Sequence, residues 1–388
     1  MPGSGALERL RAANQRAVLG LLAGEGPMSR ADLVRASGLS RTTVSSLVAE
    51  LIRAGQITET EDRARPHKGG SGRPPVLVRL SAPAGRVVGV DIGHGHVRVA
   101  VADRLGIVLA EDHALVDVDT HGAEVLDRVA AMVEALVAQT EHAGPDVQAV
   151  GMCVPAPLDR RSSRIRTGIM PGWQGLVPGE ELERRLKVPV HADNDANLGA
   201  LAELYQGIAR GRHDVVYLKI ASGVGAGLIL GGRLHRGTSG IAGEIGHVQV
   251  GEDGHVCRCG NRGCLETRVS ASRLLELLRP AYGEPLTIDQ VLGLDAEGEA
   301  GVRRVLSDAG RTIGRAVADL ANSLNPELVV VGGTLGGSES LIEGLRASID
   351  RYAQPDTAAA LDVVPGALGI RSSVVGAIAL AIARVATA

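Results

Sequence analysis

Three of the four cysteines, Cys257, Cys259 and Cys264, fall within eight residues of one another, and His247 lies upstream. A glycine-rich Cys-x-Cys-x4-Cys run does not fit one face of a helix, so it predicts a tight loop. Three thiolates and one imidazole complete the tetrahedral shell of a structural zinc site. In a reducing compartment, clustered cysteines favour metal over disulfide. Two acids, Glu244 and Glu266, bracket the cluster. A second polar group follows a short strand ending at Asp193: Asn194, Asp195 and Asn197. One such residue suffices to cap a helix, so this many suggests a ligand. Asp195 is placed to accept a hydroxyl proton, and Asn194 to bind neighbouring hydroxyls. A set rich in carboxylates and amides and poor in cations suits a neutral, polyhydroxylated ligand such as a sugar.

The elements that must position these groups are legible from hydrophobic patterning. Residues 86–92, 97–103 and 106–116 predict strands, followed by a helix over 122–140 and a buried strand over 147–154. Strands over 215–220, 225–230 and 246–250, helices over 270–278 and 301–324, and a strand over 328–331 repeat the order. Two similar halves predict an α/β body of two lobes around a cleft. Three glycine turns leave strands: Asp91-Ile92-Gly93, the run Ser222 to Gly227, and Gly332-Gly333. The first could face a metal–phosphate with its carboxylate, the second could offer backbone N–H groups to phosphate, and the third could line a base.

The amino-terminal part has a different texture. An apolar stripe from Leu7 to Leu22 predicts one helix. Ser29, with Asp32 three residues on, predicts a capping box for a second. After the turn Ser37–Ser40 a third helix buries Val44, Leu47, Val48, Leu51 and Ile52 and shows Arg41, Thr42, Thr43, Ser45 and Ser46 on its leading edge. This is the helix-turn-helix pattern, in which the second helix of the pair reads base edges. A short strand over 56–60 and a return strand over 75–80 flank a mobile basic wing, where Arg63, Arg65, Lys68 and Arg73 can neutralise phosphates or enter a minor groove. Residues 1–80 carry a net charge of +5 and the remaining residues −8, summing to the chain's −3. A basic head on an acidic body points to nucleic acid at one end only. No apolar run reaches the roughly 18 residues of a membrane span and no signal-peptide core is apparent, so the expected location is cytoplasmic. With no Phe among 388 residues, the cores must be built of Leu, Val, Ile and Ala.

The motifs DIG at Asp91–Gly93, NDAN at Asn194–Asn197, GEIGH at Gly243–His247 and CRCGNRGCLE at Cys257–Glu266 together resemble the ROK family of bacterial repressors and sugar kinases, over nearly the whole chain. The resemblance implies an α/β fold: an N-terminal winged helix-turn-helix (1–80) followed by a two-lobed actin-like ATPase, ROK sugar kinase-like domain (81–388, lobes of about 84–195 and 196–388). It implies zinc on His247, Cys257, Cys259 and Cys264, and sugar hydroxyls on Asn194, Asp195, Glu244, His247 and Glu266, with Asp195 at the position of the kinase general base. His247 can serve both sets, one ring nitrogen on zinc and the other toward the sugar. The first phosphate loop departs from the family's kinases: DIGHGH stands where they usually read DIGGTK. The loss of a threonine, a lysine and a glycine there, together with the DNA-binding head, implies a sugar-responsive repressor that has lost or weakened ATP use. The expected partners are a double-stranded operator and a sugar or sugar phosphate effector, bound by a homodimer or homotetramer. An active ATP-dependent sugar kinase carrying a DNA-binding head is the alternative. A repressor governed by a protein partner is a third reading, disfavoured by the intact pocket residues.

Overall fold

A computed structural model describes residues 11, 14–15, 17–19, 21–22, 26–63, 76–81, 85–140, 146–165 and 170–386, with side chains 61–63 left aside. The chain divides into two compact units, 1–84 with 103–105, and 85–102 with 106–388.

In the first unit the described residues of 11–22 are helical. They are followed by β1 (Met28–Ser29), α1 (Arg30–Ser37), α2 (Arg41–Arg53), β2 (Ile57–Arg63) and β3 (Val76–Leu80). Both halves of the Ser29–Asp32 capping box form, and Ser40 caps α2 through the Thr43 amide. Val18, Leu22, Leu33, Val44, Leu47, Val48, Leu51, Ile57 and Val78 close one core beneath the sheet β1-β3-β2. This is a winged helix-turn-helix. The wing differs from expectation at its root. Strand β2 runs on to Arg63, which pairs with Val76 past a bulge, so the Arg63 backbone belongs to a strand and not to the loop. A twisted hairpin gains ladder hydrogen bonds by extending, and alternating Thr and Glu residues do not prevent it. Arg65, Lys68 and Arg73 lie outside the described residues.

The second unit holds two five-stranded sheets of the same topology. One has the order β6-β5-β4-β7-β8 and the other β11-β10-β9-β12-β13. Numbered within each half, both read 3-2-1-4-5. The strands of the first are β4 (Arg86–Ile92), β5 (His96–Asp103), β6 (Val108–Leu115), β7 (Val147–Val154) and β8 (Val190–Asn194), with helices α3 (Gly122–Gln139) and α4 (Pro178–Leu186). Helix α5 (Asp195–Gln206) leads to β9 (Val215–Ile220), β10 (Val224–Leu230) and β11 (Arg233–His235). Next come α6 (Glu266–Val269), α7 (Ala271–Tyr282), α8 (Ile288–Ala296), α9 (Ala300–Leu324) and β12 (Leu328–Gly332). The order closes with α10 (Glu339–Tyr352), α11 (Pro355–Ala360), β13 (Asp362–Pro365) and α12 (Ser372–Val385). Parallel pairing of β4, β7 and β8 puts the ends of β4 and β8 on one edge of the first sheet. Ligands of α/β sheets bind at such carboxyl ends.

The chain does not stay with the second sheet to its end. Helix α12 returns from the end of the chain to the first sheet, where Val374, Val375, Ile378 and Ala381 bury against Val87, Ala100, Ala102 and Ala149. Gly151 makes this possible: a Cβ there would lie 1.9 Å from the Ala377 carbonyl oxygen. The expected strand over 246–250 is a 3-10 turn, Ile245–His247, followed by a single bridge from Gln249 to Cys264. Among the described residues no helix is long and apolar enough to cross a membrane.

Candidate functional site

The polar residues at the end of β8 and the start of α5 divide between two tasks. Asp193 turns inward. Its carboxylate accepts from the Asn194 amide at 2.8 Å, from Asn197 Nδ2 at 2.9 Å and from Arg236 Nε at 2.7 Å. Asn197 is buried. Asn194 caps α5, its Oδ1 accepting from the Ala196 amide at 2.9 Å. Asn194 and Asp195 both line a cleft of about 720 Å³. The capping explanation therefore holds for Asn194, and Asp193 and Asn197 brace the turn that presents its neighbours.

Glu244, His247 and Glu266 line the same cleft, so all five expected sugar residues converge. Gly243 seats Glu244. Its φ is +93°, and a Cβ there would fall 1.9 Å from the Ala226 carbonyl oxygen, so the loop can lie directly on β10. Burial, with Asp195 and Glu266 nearby, pushes the Glu244 carboxyl up to about 7, leaving a group able to donate as well as accept near neutrality. Glu266 has an additional task. Its Oε2 accepts from the Val224 amide at 3.1 Å, so an N–H expected to cradle phosphate in the Ser222–Gly227 turn is already taken by a carboxylate.

His247, Cys257, Cys259 and Cys264 place one donor atom each within 4.8 Å of one another, a group able to hold a metal ion. Cys259 Sγ lies 3.7 Å from Cys264 Sγ, and His247 Nδ1 lies 3.5 Å from Cys257 Sγ. Metal–sulfur bonds of about 2.3 Å and metal–nitrogen bonds of about 2.05 Å give tetrahedral edges of about 3.8 Å (S–S) and about 3.6 Å (S–N). The donors fit a tetrahedral thiolate-rich site. His247 Nε2 is turned away from the sulfurs, 3.5 Å from Glu244 Oε2, so one imidazole joins the cluster to the cleft.

Two cations of the cleft escaped the sequence reading, and the two histidines of DIGHGH entered it only as departures from the kinase loop. Lys219 Nζ donates to Asp195 Oδ2 at 2.8 Å and to Ser373 Oγ at 3.3 Å. A lone lysine in the strand VVYLKI was the available signal, because a buried charge requires a partner. Arg258 sits between two cysteine ligands. Its Nε is 3.4 Å from Glu266 Oε1 and its Nη1 is 3.5 Å from His94 Nε2. His94 Nδ1 is 2.6 Å from Asp119 Oδ1. With the proton on Nδ1, His94 donates to Asp119 and accepts from Arg258, so a polar chain runs across the cleft from the metal loop to the first lobe. His96 Nε2 lies 3.4 Å from Asp91 Oδ2, and the Gly93 amide donates to the His96 carbonyl at 3.0 Å. Gly333 also lines the cleft.

On α2, Arg41, Thr42, Ser45 and Ser46 are exposed and Thr43 is half-buried. Three of the hydroxyls are occupied locally: Ser40 Oγ lies 2.8 Å from both Thr42 Oγ1 and Thr43 Oγ1, and Ser46 Oγ donates to Glu50 Oε1 at 3.2 Å.

The ROK family model matches residues 87–384 and a MarR family model matches residues 11–65. The chain belongs to the ROK family. It is 27% identical to the xylose repressor of Caldicellulosiruptor bescii over 96% of both chains. A crystal structure of a ROK family transcriptional regulator, described as a homologue of the E. coli MLC protein, superposes with a TM-score of 0.70 at 26% identity, covering 96% of each chain. A ROK family glucokinase from Streptomyces griseus, solved with glucose and AMPPNP, superposes with a TM-score of 0.67 at 26% identity, covering 76% of this chain and 99% of that one. The ROK regulator likeness takes in the DNA-binding unit, whereas the glucokinase likeness spans three quarters of the chain. The fold is thus a MarR-like winged helix joined to a ROK, actin-like body.

Proposed function

We propose that this ROK protein is a sugar-responsive transcriptional regulator, a repressor of carbohydrate-metabolism genes. The observation that carries the reading is the joining of a winged helix, in one chain, to a cleft where Asn194, Asp195, Glu244, His247 and Glu266 converge. The likeness to a xylose repressor and to a ROK transcriptional regulator over almost the full length supports it. Residues 1–80 act as the DNA-binding domain and 81–388 as the sensor. The metal is zinc, held by His247, Cys257, Cys259 and Cys264. Zinc supplies no chemistry beyond fixing its loop, and so holds Glu244 and Glu266 in register. The protein acts as a homodimer or homotetramer in the cytoplasm. Sugar binding drives operator release only through a difference in affinity between the DNA-competent and DNA-incompetent states.

Arg41, Thr42, Thr43, Ser45 and Ser46 form the base- and phosphate-facing edge of α2, with Arg63, Arg65, Lys68 and Arg73 of the wing on the backbone or minor groove. Arg41→Ala should weaken operator binding across sequences and reduce the slope of log affinity against log salt by about 1 per protomer if it meets a phosphate; fluorescence anisotropy at several salt concentrations measures both. Arg258→Ala should leave metal content unchanged and raise the effector concentration for half-release about three- to tenfold, read in the same assay.

A second reading, an active sugar kinase with a DNA-binding head, is favoured by the likeness to the S. griseus glucokinase. A thermal-shift screen against free and phosphorylated monosaccharides, followed by an ATP-consumption assay with each stabilising sugar, separates the two. Stabilisation without turnover supports the sensor. Sugar-dependent ATP consumption supports the kinase, and no stabilisation by any sugar contradicts both.

A further inference from the structure

Lys219 brings a mostly buried ammonium into the cleft. Strand β9 sends Val216, Leu218 and Ile220 into the apolar core of the second lobe, so Tyr217 and Lys219 take the opposite face. The register sets Lys219 beside Gly225 on β10 and Gly332 on β12, two neighbours without side chains, which leaves its stem an unobstructed course. The ammonium ends 2.8 Å from Asp195 Oδ2 and 3.3 Å from Ser373 Oγ. Only 17% and 18% of the Lys219 and Asp195 side chains remain exposed.

Asp91 completes the arrangement. It pairs in register with Cys153 of β7, which pairs with Asp193 of β8. Asp91 and the turn bearing Asp195 are therefore two strands apart on one sheet edge, about 10 Å between backbones. Two carboxylate side chains with one cation between them can close such a span. Asp91 is buried and its Oδ1 has no hydrogen-bond partner, a costly state for a carboxylate without a nearby positive charge. Burial alone would raise its pKa, yet His96 and Lys219 hold it below the usual carboxylate range. Burial likewise works against the Lys219 ammonium, and the surrounding negative charge, Asp195 foremost, outweighs it.

We propose that the Lys219 ammonium stands in for the divalent cation that a phosphoryl-transfer cleft would hold between Asp91 and Asp195. Phosphoryl transfer needs metal ions to neutralise charge on the moving group and a carboxylate free to accept the hydroxyl proton. Lys219 takes the metal's place and engages the base together. It therefore determines that the cleft binds a sugar without a metal–nucleotide. This inference rests on the sugar-cleft reading only for the role given to Asp195.

The test uses metal alone and no sugar, so its failure leaves the sensor reading standing. The full chain, with the cysteine cluster zinc-loaded, is titrated with Mn²⁺ and free Mn²⁺ is read by electron paramagnetic resonance. Hard oxygen ligands suit Mn²⁺ and thiolates do not, so the titration reports the carboxylates. Wild type and Lys219→Arg should bind Mn²⁺ at the cleft no more tightly than about millimolar. Lys219→Ala should bind one Mn²⁺ per chain at least about tenfold more tightly than wild type, because Asp195 loses its ion-pair partner and Asp91 a neighbouring positive charge. Adding Asp91→Asn to that variant should abolish the gain. Lys219→Met, which keeps the stem without the charge, serves if the alanine variant does not fold. A folded, operator-binding Lys219→Ala or Lys219→Met protein with no gain in Mn²⁺ affinity overturns the proposal. A wild-type chain that binds Mn²⁺ equally well, or a gain that survives Asp91→Asn, overturns it too.

Discussion

Cys259→Ser should empty the metal site and silence the effector response together. Structural zinc sites contribute about 10–16 kcal/mol of binding free energy, and serine is a poor replacement for one of four ligands. At limiting zinc, metal content by mass spectrometry should fall to a small fraction of one per chain. Glu244 follows from the geometry: its carboxylate sits 3.5 Å from the Nε2 of the His247 whose Nδ1 faces the cluster. Glu266 stands two residues beyond Cys264. Without the metal the loop loses its cross-link and both acids lose their register. Operator binding itself should persist, since Cys259 is far in sequence from the winged helix and outside its core. Full zinc occupancy in the variant would refute the ligand assignment.

Asp195→Ala should carry the second large effect, with two separable parts. The Lys219 ammonium would be left in a mostly buried position without its nearest carboxylate, and breaking such a pair costs about 3 kcal/mol or more. For a body of this size that lowers the melting temperature by roughly 5 °C or more. Effector binding should be lost as well, because Asp195 presents the acceptor for a ligand hydroxyl. The double variant Asp195→Ala with Lys219→Ala separates the parts: stability should recover substantially, since no charge remains unpaired, whereas effector binding should not return. Strictly additive stability losses in the double variant would show that the two side chains do not depend on each other.

Much of this arrangement was legible in the sequence because it is built from local rules. The Ser29–Asp32 capping box, the buried stripe of α2 and the three-cysteine loop each depend on residues a few positions apart; the box and the loop form, and the stripe is buried except for Ile52, which is half-buried. The misreadings arise where tertiary contacts override local pattern. Residues 246–250 alternate like a strand, but Gly246 lies so close to the Val224 carbonyl that the chain turns there instead. Helix α12 shows no polar face to mark it as a surface helix, since Ser372 to Ala381 are all buried between the first sheet and α5. Lys219 was visible as a charge in an apolar strand, but its partner is 24 residues away and only the fold brings them together. The histidines of DIGHGH were legible as departures from a phosphate loop, though not the approach of His96 to Asp91, and the reading of 222–227 did not anticipate that the Glu266 carboxylate occupies an amide of that turn.

The central claim is that a sugar in the ROK cleft sets the affinity of the winged helix for DNA. The most direct measurement is operator binding by the full chain, with the operator selected from genomic fragments, followed by fluorescence anisotropy across a titration of each sugar that binds. The account predicts that at least one sugar changes operator affinity by about tenfold or more, and that Glu244→Ala removes the change while leaving sugar-free operator binding intact. A sugar that occupies the cleft at saturation without altering operator affinity would contradict it.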